Sequence, residues 1–279
     1  KDKKTDPAVV VIDDKAQFVI STLSGHLGGA NALARLIASI LNATPVITTA
    51  ADVNETIVVD LLGKEFGWAI DDDHNVTKVS ACMVNEERIG IYQDAGERNW
   101  WFKDRPLPAN VQIFNNIDEL ETSDSKAALI VTDKLLDQKY EQLLDKAVVY
   151  RPKSLVVGVG LHWDTTKEEI VKGIQTTLKE AGLSFKSIRN VATINRESTV
   201  KGLQEFSKEY EIRVEYFDKS QLATTEVPNP SNTVMKFEGT QSVSEASALL
   251  SAKNSDLLVQ KRKFPPNLTV AVAEVKVVH

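Results

Sequence analysis

Ser154-Leu155-Val156-Val157-Gly158-Val159-Gly160 is a run of apolar, mostly β-branched residues ending on glycine, and Leu161-His162-Trp163-Asp164-Thr165 carries it forward. The run predicts a buried strand that opens into a loop. A helix follows, because Thr165 with Glu168, or Thr166 with Glu169, stands at capping-box spacing. Ile170, Ile174, Leu178 and Ala181 then share one face, and Gly182 stops it. The same order returns downstream. Val191-Ala192-Thr193-Ile194 is extended, with Asn195, Arg196 and Glu197 at its end, and Val200, Leu203 and Phe206 stripe a helix over about 198–209. Ile212 to Phe217 is a strand and Ser220-Gln221-Leu222 opens a short helix. In Val227-Pro228-Asn229-Pro230-Ser231 two prolines restrict the chain to extended or turn forms. A further helix starts at Ser242, with Glu245 at capping-box spacing and Val243, Ala246, Leu249 and Leu250 facing inward. Asp256–Val259 and Leu268–Val272 close the unit as strands joined through Lys261-Arg262-Lys263. Alternation of strand and helix predicts an α/β sandwich with helices shielding a sheet. Its element ends collect Gly158, Gly160, His162, Asn195, Glu197, Asn229, Ser242 and Lys261 as a candidate active face. The plainer readings are helix capping for Glu197 and Glu245, and a solvated hairpin for Lys261–Lys263.

Upstream, Ala8-Val9-Val10-Val11-Ile12 is a strand that Asp13-Asp14 turns toward Phe18-Val19-Ile20. Ser24-Gly25-His26-Leu27-Gly28-Gly29-Ala30-Asn31 then leads into an apolar-periodic helix, Leu33, Leu36, Ile37, Ile40 and Leu41. A glycine turn between strand and helix leaves first-turn N–H groups for an anion, and His26 is the side chain there that titrates near neutrality. The spacing fits neither a dinucleotide fingerprint nor a P-loop, so a tight turn with a carbonyl-capping histidine is the plainer reading. Pro45-Val46-Ile47 begins the next strand, which places Thr48, Thr49 and Asp52 at its carboxyl end, where ligands of open parallel sheets sit. Asp52 or Asn54 as a helix cap is the alternative.

Residues 55–70, with Ile57, Leu61, Leu62, Phe66 and Trp68, read as a helix interrupted by Gly63 and Gly67. Asp71-Asp72-Asp73 reads as a solvated turn and sets a boundary. Between 74 and 150, Val76–Val84 is a short helix, and Arg88–Tyr92, Val111–Phe114, Ala127–Val131 and Val148–Tyr150 are strands. Asn99-Trp100-Trp101-Phe102 supplies aromatic core. The expected domains are 1–70, 71–150 and 151–279.

An apolar fraction of 42% with 26% charged residues is that of a folded globular chain. No segment approaches the ~20 apolar residues that span a bilayer. The N-terminal Lys1-Asp2-Lys3-Lys4 precedes no signal-like apolar core, so a cytoplasmic location is expected. The single cysteine, Cys82, excludes an intrachain disulfide and a multi-cysteine metal site. A net charge of −6 argues against a nucleic-acid surface.

Together these runs resemble the cobalamin-biosynthesis protein G family, the cobalt-precorrin-5A hydrolases of the anaerobic corrin pathway. The likeness rests on Asp6-Pro7-Ala8-Val9-Val10-Val11, Ser24 to Asn31, and Thr44-Pro45-Val46-Ile47-Thr48-Thr49-Ala50-Ala51-Asp52. Toward the C-terminus it rests on Gly158-Val159-Gly160, Val227-Pro228-Asn229-Pro230-Ser231, Gly239 with Ser242-Val243-Ser244-Glu245-Ala246, and Lys261 with Thr269-Val270-Ala271. It is weak between about 70 and 150. Two loops depart from the family pattern. Leu161-His162-Trp163-Asp164 replaces a cysteine, basic residues and a glycine, and Ile194-Asn195-Arg196-Glu197 stands where Ile-Asp-x-Lys is usual. The resemblance implies a multi-domain α/β protein: an open parallel-type N-terminal domain lacking its first strand-and-helix unit, a small middle α/β domain and a C-terminal α/β sandwich.

The implied reaction opens the δ-lactone between the ring A acetate and the bridging meso carbon, then releases that carbon and its methyl group as acetaldehyde. Such chemistry needs a base and donors facing the oxyanion. His26 and Glu197 are the catalytic candidates, and the N–H groups of Gly28, Gly29 and Ala30 are the oxyanion candidates. Substrate contacts fall to Ser24, Gly25, Gly28, Gly29, Asn31, Thr48, Thr49, Asp52, Gly158, Gly160, His162, Asn195, Asn229, Ser242 and Lys261; Arg151 is a further cation for peripheral carboxylates. No cofactor or protein metal is expected, because the cobalt travels with the substrate. The implied partners are the cobalt-corrinoid substrate and, transiently, other enzymes of the pathway, with no nucleic acid and no membrane; a homodimer is expected on base rates. The altered loops leave a non-catalytic corrinoid-binding or scaffold protein as the alternative, ahead of a nucleotide-binding enzyme.

Overall fold

The computed structural model describes residues 7–25, 29–48, 56–101, 106–196, 198–231, 235–236 and 239–276. The first sheet contains β1 (Val9–Ile12), β2 (Phe18–Leu23) and β3 (Thr44–Val46) in the order β1-β2-β3. Asp13 makes the first turn, its Oδ1 accepting the Phe18 N–H at 2.5 Å. The helix α1 (Ala30–Leu41) connects β2 to the parallel β3. Its inward face is the small one: Ala30, Asn31, Ala34 and Ala38 are buried, whereas Leu36 and Ile40 are 59% and 72% exposed. The leucine–isoleucine periodicity therefore marks more than the buried side. Alanines at i, i+4 and i+8 let the helix lie close on Val19.

The middle sheet runs β4 (Ala69–Ile70), β8 (Ala147–Arg151), β7 (Ala127–Val131), β5 (Ile89–Gln93), β6 (Val111–Phe114). All its pairs are parallel except β4 with β8. The helices α2 (Val76–Val84), α3 (Ile117–Thr122) and α4 (Glu141–Leu144) complete the unit. Every residue of β7 and β8 is buried, as expected of strands covered on both faces. Trp100 and Trp101 pack against this core, and the Trp100 indole N–H donates to Gln93 Oε1 at 2.7 Å.

Among the described residues 56–70 the helix expected over 55–70 does not form. Residues 59–63 are turns and Lys64–Phe66 is a single 3-10 turn. Gly63 and Gly67 adopt φ of +72° and +76°, and a Cβ on Gly63 would lie 2.0 Å from the Trp68 ring. These left-handed positions end any α-helix there. The segment is nevertheless buried: Ile57, Val59, Leu62 and Trp68 join the core of the middle sheet, and the Tyr150 hydroxyl donates to the Val59 carbonyl at 2.7 Å. Residues 57–70 thus belong with the middle unit rather than the first, and Arg151 closes that unit as the end of β8.

The C-terminal sheet is ordered β11 (Val214–Phe217), β10 (Ile188–Ile194), β9 (Leu155–Leu161), β13 (Leu268–Glu274), β12 (Leu257–Phe264). β9, β10 and β11 are parallel, and β13 runs antiparallel to both its neighbours. α5 (Lys167–Glu180) and α6 (Lys201–Tyr210) cover one face through Ile170, Ile174, Leu203 and Phe206. Beyond the short α7 (Lys219–Ala223), α8 (Val243–Ala252) covers the other through Ala248, Leu249 and Ala252. The α5 capping box forms at Thr166, whose N–H donates to Glu169 Oε2 at 2.8 Å. Lys261–Lys263 lie within β12, so the hairpin turns at Pro265-Pro266-Asn267 instead.

Asp71 ties the last two units together, held by Arg151 within the middle unit and by Lys186 from the C-terminal one. Arg151 is 3% exposed and donates to Asp71 Oδ2 at 2.7 Å and to the Lys134 carbonyl at 2.5 Å. Lys186, just before β10, approaches the same carboxylate. Asp71 is thus a partner in a seam rather than part of a merely solvated turn. Burial opposes its charge, yet Arg151 and Lys186 outweigh that and hold its pKa below the ordinary value.

Candidate functional site

A cleft of about 820 Å³ opens where β9 runs out of the sheet. Leu161 hands the chain to His162 and Trp163 on one side, and the Pro265–Asn267 turn closes another. Ser242 and Val243 bring the start of α8 to it, because that helix runs with its N-terminus toward Gly160 and rests on Gly158. A Cβ on Gly158 would stand 1.9 Å from the Ser244 carbonyl oxygen, so this glycine lets helix and strand touch. It is packed beneath α8 and does not line the cleft.

Charge in the cleft is one-sided. Arg196, Lys261 and Lys263 line it, with no carboxylate among the described lining residues. The Arg196 guanidinium donates to the Leu161 carbonyl at 2.9 Å. Lys261 Nζ donates to the Asn229 carbonyl. Burial pulls the Lys261 pKa down; Glu245 pushes it up, Lys263 pulls it down again, and the net direction is downward. His162 Nδ1 stands 2.5 Å from Asp164 Oδ1, with its ring 5.6 Å from that of Trp163, which is 72% exposed.

Glu245 holds this corner together from below. It is fully buried and caps nothing: Ser242 makes no side-chain capping bond. Its Oε1 accepts the Asn229 side-chain amide at 2.8 Å and the Lys261 N–H at 3.0 Å, while Oε2 accepts the Asn229 N–H at 3.2 Å. The capping-box spacing pointed to a helix cap and hid this role. The better signal was the surrounding sequence, Val243 to Ala252, whose small and apolar residues leave little room for a solvent-facing glutamate.

Of the residues singled out in sequence, Gly160, His162, Ser242 and Lys261 meet in the cleft, and Asn229 stands behind Lys261. Asn195 lines a separate, smaller hollow of about 150 Å³ that Arg196 also borders, and it donates to Asp218 Oδ1 at 3.1 Å. Trp163, Lys263 and the Pro265–Asn267 turn were not singled out as site residues. Arg151 is buried within the middle unit, bonded to Asp71 and the Lys134 carbonyl, and is not a surface cation.

The N-terminal candidates take structural positions. The Ala30 N–H donates to the Ser24 carbonyl and the Asn31 N–H to the Gly25 carbonyl, both at 3.0 Å. The Ala30 amide is therefore occupied, which removes it from the oxyanion donors. Gly29, at φ +80°, sets the start of α1. Asn31 is buried, with its Oδ1 accepting the Ser21 hydroxyl at 2.6 Å, and Thr48 donates to the Ser21 carbonyl at 2.7 Å. His26, Gly28, Thr49, Asp52 and Glu197 lie outside the described residues.

Fold and cleft define a class: a multi-unit α/β protein with a cation-lined hollow at the strand ends of its C-terminal sheet. Three family models cover the chain in order. Cobalamin synthesis G N-terminal matches residues 1–52, Cobalamin biosynthesis central region 57–152, and Cobalamin synthesis G C-terminus 155–273. The chain belongs to the cobalamin synthesis G family. It is 45% identical over 273 residues to the cobalt-precorrin-5A hydrolase of Priestia megaterium, a match covering 98% of this chain and 73% of that one. It is 31% identical over 274 residues to the cobalt-precorrin-5A hydrolase of Salmonella typhimurium, covering 98% and 76%. A solved cobalamin biosynthesis protein G homolog from Sulfolobus solfataricus aligns with 99% of this chain and 76% of its own, at 25% identity and a TM-score of 0.38.

Proposed function

We infer that this chain is a cobalt-precorrin-5A hydrolase, and the observation that carries the reading is the 45% identity across nearly the whole chain to a protein of that name. In the reaction, water adds to the lactone carbonyl carbon and the acyl C–O bond breaks, leaving a carboxylate and a hydroxyl on the former meso carbon. That hydroxyl then loses its proton as the carbon–carbon bond to the macrocycle breaks. The electron pair passes to the conjugated ring, which takes up a proton, and the two-carbon fragment leaves as acetaldehyde.

We place the macrocycle in the C-terminal cleft. Its apolar surfaces, Trp163, Val243 and the two prolines, suit a flat ring, and Arg196, Lys261 and Lys263 suit its acidic rim. His26 is the proton carrier in this proposal, since an unperturbed imidazole changes charge near neutral pH. The cobalt belongs to the substrate in this reading, and no resident cofactor is invoked. No helix among the described residues is long and apolar enough to cross a membrane. We place the enzyme in the cytoplasm, a reading supported by its single cysteine.

Incubating the protein with cobalt-precorrin-5A and assaying acetaldehyde tests the reaction, and His26→Ala tests the proton carrier. Aldehyde from the parent protein with a loss of at least a hundredfold in the variant is the expected pair of results. Corrinoid binding without aldehyde would favour a non-catalytic role, a reading that the unusual Leu161–Asp164 loop at the cleft mouth supports. Aldehyde undiminished in the variant would remove His26.

A further inference from the structure

Ser242 stands out among the cleft residues. It is 1% exposed, yet its hydroxyl has no hydrogen-bond partner among the described residues, and it lines the cleft. Buried hydroxyls almost always find a partner inside the fold. At a helix start the usual partner is a first-turn amide, but here that bond is not made. The residue that could complete a capping box, Glu245, is turned away to Asn229 and Lys261. The ten-residue α8 therefore meets the cleft with its first turn uncapped by any side chain and its positive end forward.

The cations lining the same cleft repeat the message. Lys261 Nζ spends one N–H on the Asn229 carbonyl, and an ammonium carries three. Lys263 and Arg196 border the same space. An unpaired hydroxyl, an uncapped helix start and three cations around a largely apolar hollow describe the complement of an acidic group on a large apolar body.

We propose that the first turn of α8, with the Ser242 hydroxyl and Lys261, is a carboxylate subsite that grips one acidic side chain of the bound ligand. Taking that ligand to be a corrinoid rests on the hydrolase reading; the anionic character of the subsite does not. The subsite orients the ring and takes no part in lactone opening, so its contribution is to binding and register.

Calorimetric titration of the full chain with two probes tests this: a cobalt corrinoid bearing free side-chain carboxylates, and the same corrinoid with those carboxylates methyl-esterified. The acid form is expected to bind at least tenfold more tightly than the ester. Ser242→Ala should weaken the acid form five- to tenfold and leave the ester unchanged, and Ser242→Asp should abolish the preference for the acid by placing a fixed anion in the subsite. Equal binding of acid and ester to the parent protein, or no binding of either, overturns the proposal. So does a folded Ser242→Ala variant that matches the parent on both probes. If neither variant folds, the acid–ester comparison on the parent protein decides alone. Acetaldehyde release from cobalt-precorrin-5A keeps the two readings apart: release with equal acid and ester binding removes the subsite only, and no release with a clear acid preference removes the hydrolase only.

Discussion

Glu245 Oε1 lies 2.8 Å from Asn229 Nδ2 and 3.0 Å from the Lys261 amide nitrogen, so one buried carboxylate joins the proline loop, α8 and β12 beneath the cleft. Three donors converge on its two oxygens. Glutamine would keep the volume but offer a single acceptor oxygen, turning an N–H toward groups that also donate. Glu245→Gln is expected to lower unfolding stability by about 1–3 kcal/mol, the range for leaving buried donors unpaired. Urea denaturation measures it. An unchanged midpoint would show that the loop is held by its other contacts.

Gly158→Ala sets a Cβ against backbone. The new atom would lie 1.9 Å from the Ser244 carbonyl oxygen and 2.9 Å from the Ala248 Cβ, so α8 must lift from β9. A loss of about 3 kcal/mol is expected, toward the upper end for overpacking. At Gly160 the nearest obstacle is the Thr269 hydroxyl, 2.4 Å away, a side-chain end that can rotate. Gly160→Ala should cost about 1 kcal/mol. Thermal melts of the pair in parallel give the order.

Asp71→Asn leaves the buried Arg151 guanidinium without its charged partner. Asp71 itself keeps about a third of its side chain in water, so the expected loss is about 2 kcal/mol, below that of a fully buried pair. Because the folded-state pKa of Asp71 is depressed, its contribution is present above the ordinary carboxylate value of ~3.9 and disappears as pH falls through the lower folded value. The difference between parent and variant should therefore shrink in acid, which denaturant melts across pH will read.

Asp133 behaves in the opposite sense. Its carboxyl is 3% exposed and accepts the Ser154 hydroxyl at 2.6 Å, and burial raises its pKa, with Asp94 adding to the effect. Glu274 is raised first by burial and then by the Asp133 and Asp94 charges. A raised folded-state value means that the stability contribution is full below ~3.9 and is lost as pH rises through the folded pKa. Asp133→Asn keeps an acceptor for Ser154 and removes that loss. It should be more stable than the parent at pH 8, and the advantage should vanish near pH 3.5. A variant less stable than the parent at pH 8 but not at pH 3.5 would show that a charged Asp133 is needed at the seam.

Much of the C-terminal unit was legible because its signals are local. Thr166 and Glu169 state the start of α5, and the runs around Val157 and Val191 state two buried strands. What failed was read from periodicity where a glycine or a small residue decides. Gly63 and Gly67 convert an apolar run into turns, and the alanines of α1 are buried where larger neighbours stay exposed. At the site, Gly160, His162 and Ser242 were found because they lie at or beside element ends, whereas Lys261 reaches the cleft from within β12. Glu245 was misread because its spacing fits a cap, and only the fold reveals that Asn229 and Lys261 reach it first. The glycine turn before α1 suggested free amides, but the carbonyls of Ser24 and Gly25 curl back to take two of them, a contact no spacing announces.

The place of β13 has a consequence for how the protein is made. This strand is the last element of its sheet in chain order, yet it lies between β9 and β12, one strand in from the edge. While the polypeptide is leaving the ribosome, β9 has an unpaired edge until Leu268–Glu274 has emerged. The Val156-to-Leu161 ribbon is thus exposed to wrong pairing through the whole synthesis of α5 to β12, and the cleft above it takes shape among the final acts of folding.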